Sequence, residues 1–222
     1  MFYRLDDRLM TEDVSGAMIF ILDTSGSMIY NTVYNVNAKK KIDALKEVFE
    51  GKSLKLDKTS LKLDFNPTTK SSFTAFVVYR NIPSESVDSY NTICRRKADN
   101  ENGWEIDLYD GKLRFTIKQR NNMIKNITQS TNTTVINKYI IAALYTGGNM
   151  KLILERNNNK EEFNAAFSYT VDNRNTVELV IGDANVSNII YEVIIHYIAL
   201  SDNEINKVRK YLSEKHGLNI RD

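Results

Sequence analysis

Very short connections between predicted strands restrict the fold of this chain more than any other feature. Between residues 138 and 200 the sequence predicts a series of strands rich in β-branched and aromatic residues: Lys138–Tyr145, Met150–Arg156, Glu162–Thr170, Thr176–Ile181 and Ile189–Leu200. Turn-forming residues connect them at Thr146–Asn149, Asn157–Lys160 and Asp172–Asn175. Because a parallel crossover needs about a dozen residues or more, these strands are expected to pair antiparallel. The pattern predicts a meander or sandwich and argues against a parallel α/β sheet.

A β-hairpin is predicted around Asp110-Gly111, because a type I′ turn needs positive φ at both of its central residues. The two-residue loop fixes the register, so that Asp107 faces Arg114 across the hairpin. Trp104 falls on the apolar face and is expected in the core. The opposite, polar face carries Glu105, Asp107, Tyr109, Lys112, Arg114 and Thr116.

The chain is predicted to be one domain with an N-terminal arm. Its 222 residues include two prolines and nine glycines and show no linker or repeat. We assign residues 1–16 to the arm and 17–222 to the domain. Within the domain we predict a first strand at Ala17–Leu22, a minor helix at Lys39–Glu50 and a central strand at Ser72–Arg80.

A C-terminal helix has clear start and stop signals. Ser201 suits the N-cap, Glu204 three residues later completes a capping box, and Gly217 ends the helix. We expect this helix to pack on the sandwich.

Charge and rare residue types exclude several classes of function. Thirty basic and 28 acidic residues leave a net charge of +2, scattered along the chain, so no nucleic-acid partner is predicted. One cysteine, Cys94, excludes an intramolecular disulfide, and two histidines cannot build a multi-histidine metal site. No apolar run reaches the roughly 18 residues of a membrane span, and the first residues lack a signal-peptide pattern. We expect a chain made in the cytoplasm that does not insert into membranes.

Several segments resemble laminin G-like domains of the concanavalin A-like superfamily. They are Ser72–Arg80, Gly103–Leu108, Tyr191–Ile205 and Tyr211–Leu218, and the resemblance spans residues 17–218. Its most specific part is the last, a strand followed by a helix and then Tyr-Leu-x-x-Lys-x-Gly. The resemblance implies an all-β, antiparallel jelly-roll sandwich with a short C-terminal helix, and a non-catalytic module that binds glycans or protein surfaces.

A second resemblance points to a different class of protein. Asp23-Thr-Ser25-Gly-Ser27, after the apolar run Met18–Leu22, is similar to the metal-ion-dependent adhesion motif of von Willebrand A domains. Asp23, Ser25 and Ser27 would offer the oxygen ligands that Mg²⁺ or Ca²⁺ prefers. That family alternates parallel strands with helices, for which the short connections leave no room. We therefore expect a loop here and no cofactor, with the metal site as the alternative.

A third resemblance concerns catalysis. Glu105-x-Asp107-x-x-Asp110 is similar to the Glu-x-Asp-x-x-Glu signature of jelly-roll glucanases, in which two carboxylates flank the scissile bond. The third acid is Asp rather than Glu and lies in the hairpin turn. Arg114 opposite Asp107 would also hold that carboxylate in its charged form, which makes it a poor proton donor. We predict that the chain is not an enzyme.

The ligand-binding residues are predicted on the hairpin and on the later strand Lys138–Tyr145. Tyr109, Tyr145 and Tyr169 could stack on sugar rings, or they could pack across strands. We predict a ligand surface formed by Tyr109, Asp107, Arg114 and Tyr145.

The predicted fold, cysteine content and start of the chain suggest where the protein acts. A fold usually displayed outside cells, with no export signal and no disulfide, fits a bacteriophage or viral surface protein, such as a capsid decoration or fibre-associated protein. Its partners would be other virion proteins or host-surface glycans. A soluble carbohydrate-binding lectin module is the alternative, and the sequence leaves the oligomeric state open.

Overall fold

The computed structural model describes residues 19–22, 54–56, 60–63, 72–80, 90–97, 103–118, 124–130, 137–168, 179–183, 188–196 and 198–220. Within these ranges the chain forms two β-sheets that face each other and one α-helix. The predicted arm (1–16), the predicted helix (39–50) and the motif Asp23–Ser27 lie outside the described residues.

Sheet A has seven strands, and at one edge two short strands pair with the same long strand. Its strands are, in spatial order, β1 (Ile19–Leu22), β13 (Asn188–His196), β4 (Phe73–Arg80), β9 (Lys138–Tyr145), β10 (Asn149–Arg156) and β11 (Asn159–Ala166), while β2 (Leu54–Leu56) pairs with β13 beside β1. The β1–β13 pair is parallel, and the other pairs of this sheet are antiparallel. The strand β13 therefore has β4 on one side and two short strands on the other.

Sheet B has six strands and is antiparallel throughout the described residues. In spatial order they are β3 (Leu61–Leu63), β12 (Leu179–Ile181), β5 (Asn91–Lys97), β6 (Gly103–Tyr109), β7 (Lys112–Lys118) and β8 (Ile124–Thr128). The predicted fold class, an antiparallel β-sandwich jelly roll with a short C-terminal helix, is confirmed. The parallel pairing of β1 departs from the prediction, since short connections govern only strands that are neighbours in sequence.

Apolar side chains of both sheets form the core between them. Trp104 on β6 is 5% exposed and stacks on Phe73 of β4 with ring centroids 5.0 Å apart. Phe115 on β7 meets the same Phe73 ring edge-on at 6.0 Å. Burial of each such ring contributes about 1.5–3 kcal/mol to folding. The predicted core position of Trp104 is confirmed.

The predicted β6–β7 hairpin forms with the predicted register. Asp110 and Gly111 have φ of 50° and 68°, and Asp107 pairs with Arg114. The β10–β11 connection is shorter than predicted, because Asn157 and Asn158 (φ 38° and 65°) make a two-residue turn. Asparagine tolerates the left-handed region, so β11 begins at Asn159 rather than at Glu162. The strand ends at Ala166 rather than at Thr170.

Helix α1 (Asp202–His216) forms with the predicted caps. Glu204 Oε2 accepts a hydrogen bond from the Ser201 backbone N–H at 2.8 Å, and Gly217 takes the left-handed conformation at φ 62°. The apolar side of the helix packs on the outer face of sheet A, where its Ile205, Val208 and Leu212 join one buried cluster with residues such as Phe76, Ile140 and Ile194. The fold is thus three layers, sheet B, sheet A and α1.

Two buried carboxylates of sheet A also hold α1. Glu155 on β10 accepts hydrogen bonds from Arg209 Nε and Nη2, both at 2.7 Å, and both side chains are nearly fully buried. Glu192 on β13 lies 2.7 Å from His216 Nε2 and 3.1 Å from Lys215 Nζ. The helix is therefore fixed along its length by apolar packing and by polar contacts.

Candidate ligand-binding surface

The polar face of sheet B is the side turned away from the inter-sheet core, and its side chains form rows across β5, β6 and β7. The first row, at one end of the strands, is Tyr90, Tyr109 and Lys112; the second is Thr92, Asp107 and Arg114; the third is Arg95, Glu105 and Thr116. Tyr90 belongs to the first row because it precedes Asn91, the partner of Leu108.

A β-bulge in β5 sets the composition of these rows. The pairing register with β6 shifts between Thr92 and Cys94, which leaves Ile93 as an extra residue. Ile93 and Cys94 both lie in the core, whereas Thr92 and Arg95 stand opposite Asp107 and Glu105. Without the bulge, strict alternation would place Cys94 on the same face as Thr92.

Asp107 and Arg114 form a bidentate ion pair in the middle row. Arg114 Nε donates to Asp107 Oδ1 at 2.9 Å, and Nη2 donates to Oδ2 at 3.2 Å. The Asp107 side chain is fully buried, and the Arg114 side chain is 15% exposed. The predicted facing of these two residues is confirmed. Both carboxylate oxygens are engaged, so Asp107 is placed to hold Arg114 rather than to transfer a proton.

Arg114 in turn lies against two exposed tyrosine rings. Its Cζ is 4.2 Å from the centroid of Tyr109 and 5.8 Å from that of Tyr90. Tyr109 is 50% exposed and Tyr90 is 38% exposed, which leaves part of each ring open to solvent. Cation–π contacts of this kind favour a fixed position of the rings. We call Tyr90, Tyr109 and Arg114 the Tyr–Arg–Tyr platform.

Glu105 supports the platform from the third row. This carboxylate is 1% exposed and accepts a hydrogen bond from Thr92 Oγ1 at 2.8 Å. Burial raises the pKa of the Tyr90 phenol, and a hydrogen bond to Glu105 and the negative charges of Glu105 and Asp107 raise it further. Tyr90 is therefore a neutral phenol at ordinary pH and is tied to Glu105.

The predicted site residues fall into two groups in the structure. Tyr109, Asp107 and Arg114 come together on the polar face of sheet B. Tyr145 does not join them, because it is 1% exposed and lies in the inter-sheet core, 6.2 Å from Phe73 between ring centroids. For Tyr145 the packing interpretation replaces the ligand-binding one. Tyr169, Asp23, Ser25 and Ser27 lie outside the described residues.

The sequence pattern missed two properties of this surface. First, Glu105, Asp107 and Thr116 are buried although they face away from the inter-sheet core. Second, Tyr90 was not predicted, since it lies just before β5 and no strand was predicted there. The spacing of aromatic residues beside arginines on paired strands is the signal that would have found it.

The histidines of the described residues belong to the helix–sheet contact. His216 pairs with Glu192, as described above. His196, at the end of β13, packs edge-on against Phe76 with centroids 6.1 Å apart, and burial lowers the pKa of its imidazole. Neither histidine lies on the polar face of sheet B.

Among the described residues, no group of three or more His, Cys, Asp or Glu side chains is placed to hold a metal ion. The helix found in those same ranges, α1, is not long and apolar enough to cross a membrane. The two described sheets also lack the alternation of parallel strands and helices that an A domain would need.

Cys94 is expected to be an unreactive thiol in the folded protein. It is fully buried in the inter-sheet core, and burial, with a smaller contribution from the charge of Glu105, raises the pKa of its thiol. Thiol reagents attack through the thiolate. We expect no reaction with Ellman's reagent on the native protein during the time in which the urea-unfolded protein reacts completely. Rapid labelling of the native protein would contradict this placement.

Comparison with known proteins establishes the fold. No protein-family model matches the chain, and no curated protein matches it. Solved structures do match. The botulinum neurotoxin serotype D binding domain matches with a TM-score of 0.57 and 15% identity, over 72% of this chain and 42% of that one. The binding domain of botulinum neurotoxin DC in complex with SialylT matches with a TM-score of 0.53 and 18% identity, over 69% of this chain and 39% of that one. The binding domain of Paraclostridial Mosquitocidal Protein 1 matches with a TM-score of 0.57 and 17% identity, over 72% of this chain and 44% of that one. This chain therefore shares its β-sandwich with a part of these binding domains and spans about two-fifths of their length.

Proposed function

We propose that this chain is a non-catalytic carbohydrate-binding module and that the Tyr–Arg–Tyr platform is its ligand surface. The observation that carries the proposal is the pair of exposed rings, Tyr90 and Tyr109, held on one sheet face by a buried ion pair. Aromatic faces pack well on the apolar faces of pyranose rings, and a preformed surface loses little entropy on binding. The similarity to binding domains, one of them solved with SialylT, supports the same class of function.

The geometry of the carboxylates favours binding over hydrolysis. A glycosidase needs one carboxyl group that donates a proton and a second that attacks or activates water. Here Asp107 is fully buried in its pair with Arg114, and Glu105 is buried against Thr92. The third acid of the glucanase-like pattern, Asp110, lies in the hairpin turn. Neither buried carboxylate is presented to a bound sugar.

The platform is tested by a pair of tyrosine variants. We expect the wild-type protein to bind at least one member of a panel of bacterial surface polysaccharides and simple glycans. Tyr109→Ala is expected to weaken that binding about tenfold, because it removes the more exposed ring of the platform. Tyr211→Ala is the matched control, since Tyr211 is 44% exposed but lies on α1. Isothermal titration calorimetry on both variants measures the difference.

The outcome distinguishes three alternatives to the proposed ligand surface. Equal weakening by Tyr211→Ala would contradict the platform as the ligand surface. Saturable binding that disappears in EDTA would instead support a metal site, for which Asp23, Ser25 and Ser27 are the candidate ligands. Absence of binding to the whole panel, with or without EDTA, would favour a structural role among protein neighbours.

We further propose that the jelly roll is of the concanavalin A-like, laminin G-like type and that the module is displayed on a virion or other extracellular surface. The described sandwich is held by apolar packing, and the single cysteine is buried and reduced. Such a fold needs no oxidising compartment to form. Mass spectrometry of purified particles is the test: the chain at stoichiometric amounts is expected, and particles without it would exclude the virion role.

A further inference from the structure

We infer that the Tyr–Arg–Tyr platform selects uncharged pyranose sugars over sugars that carry a carboxylate, such as sialic or uronic acids. The inference rests on the proposed carbohydrate-binding function and names its ligand class. It follows from how Arg114 is already used within the protein.

Arg114 is the platform's cation, and its charge is already compensated. Recognition of a ligand carboxylate by arginine is strongest when two adjacent N–H groups of the guanidinium bind both oxygens. The edge formed by Nε and Nη2 makes that bidentate contact with Asp107. A ligand carboxylate would therefore be limited to the Nη1 side of a guanidinium whose charge Asp107 already compensates.

A second buried carboxylate makes the surface still less suited to an anion. Glu105 lies in the row behind Asp107 and is 1% exposed. Both negative charges act on Tyr90, whose phenol they help to keep protonated. Desolvated charges interact strongly because the surrounding medium screens them weakly. An acidic sugar stacked on the rings would be brought close to Asp107 and Glu105.

Two further cations of the described residues lie in the rows of this face. Arg95 stands opposite Glu105 in the third row, away from the rings. Lys112 stands opposite Tyr109 in the first row and is half-buried, so it is the residue through which an acidic ligand could bind. Lys112 therefore enters the test as a variant.

An uncharged pyranose fits the same features without a penalty. The exposed part of Tyr109 offers a stacking surface, and Arg114 Nη1 is not used in the pair with Asp107, so it can donate to a sugar hydroxyl. Such contacts depend little on ionic strength. We expect binding of a neutral glycan to change less than about twofold between roughly 50 and 500 mM NaCl.

The experiment compares matched glycans on the wild-type protein and on charge variants. Each neutral glycan that binds is paired with its carboxylate form, for example lactose with sialyllactose and an oligoglucose with its C6-oxidised glucuronate form. We expect the carboxylate form to bind about tenfold more weakly or worse. Asp107→Asn is expected to narrow that gap, because it leaves the charge of Arg114 uncompensated. Glu105→Gln, which also removes one negative charge, is the second variant if Asp107→Asn folds poorly.

Each result has a distinct meaning. Equal or tighter binding of the carboxylate forms overturns the inference and leaves the proposed carbohydrate-binding function standing, and loss of that binding in Lys112→Ala would place it at Lys112. A gap that neither Asp107→Asn nor Glu105→Gln narrows also overturns it. Absence of binding to both forms of every glycan means that the proposed function itself has failed.

Discussion

Replacing Arg209 with methionine is expected to lower the free energy of unfolding by about 3–5 kcal/mol. The substitution leaves Glu155, which is 1% exposed, without the guanidinium that donates to both of its oxygens at 2.7 Å. A buried carboxylate without its partner keeps the full cost of desolvation. Urea denaturation followed by circular dichroism measures the change in the unfolding midpoint and slope.

The double variant Glu155→Leu with Arg209→Met is the control for this prediction. It removes both charges together, so its stability is expected to lie close to that of the wild-type protein or above it. A double variant as unstable as Arg209→Met alone would contradict the explanation, since the loss would then come from packing. The comparison separates the cost of an unpaired charge from the loss of helix–sheet contact.

Asp107→Ala is expected to lower the free energy of unfolding by about 3 kcal/mol and to weaken glycan binding. The variant leaves the largely buried guanidinium of Arg114 without the two hydrogen bonds it makes to Asp107. Arg114 would then turn toward water and away from the ring of Tyr109, which lies 4.2 Å from it. Chemical denaturation measures the first effect, and calorimetric titration with a bound glycan measures the second.

Asp107→Asn distinguishes geometry from charge in this pair. The amide oxygen can still accept one hydrogen bond from Arg114, so we expect this variant to lose less than half as much stability as Asp107→Ala. Equal losses in the two variants would show that charge compensation dominates. Wild-type stability in Asp107→Ala would contradict the role assigned to the ion pair.

The parts of the fold that depend on local sequence could be predicted. Asp110-Gly111 determines the turn and with it the register of β6 and β7, because a two-residue loop allows one alignment. Ser201, Glu204 and Gly217 determine both ends of α1 for the same reason, since their partners are within a few residues. Alternation of polar and apolar residues then placed Trp104 in the core correctly.

The parts that depend on distant residues could not be predicted. The bulge at Ile93 brings Thr92 and Tyr90 to the polar face, and alternation cannot reveal an extra residue in a strand. Glu155 and Arg209 are 54 positions apart, so no local pattern links them. Alternation also equates the outward face with solvent, which fails for Asp107, since it is fully buried in its pair with Arg114.

The position of β13 in sheet A has a consequence for how the protein folds. This strand pairs with β4, with β2 and, in parallel, with β1. Ile19 must therefore pair with Val193 before that edge of the sheet is complete. Closing so long a loop is slow, and sandwiches dominated by such contacts fold in about milliseconds to seconds. During synthesis on the ribosome, β4 and β9 therefore emerge and can pair before β13 has been made. The other edge of β4 is unpaired during that time. The growing chain carries an open sheet edge until almost all of its described strands have been made.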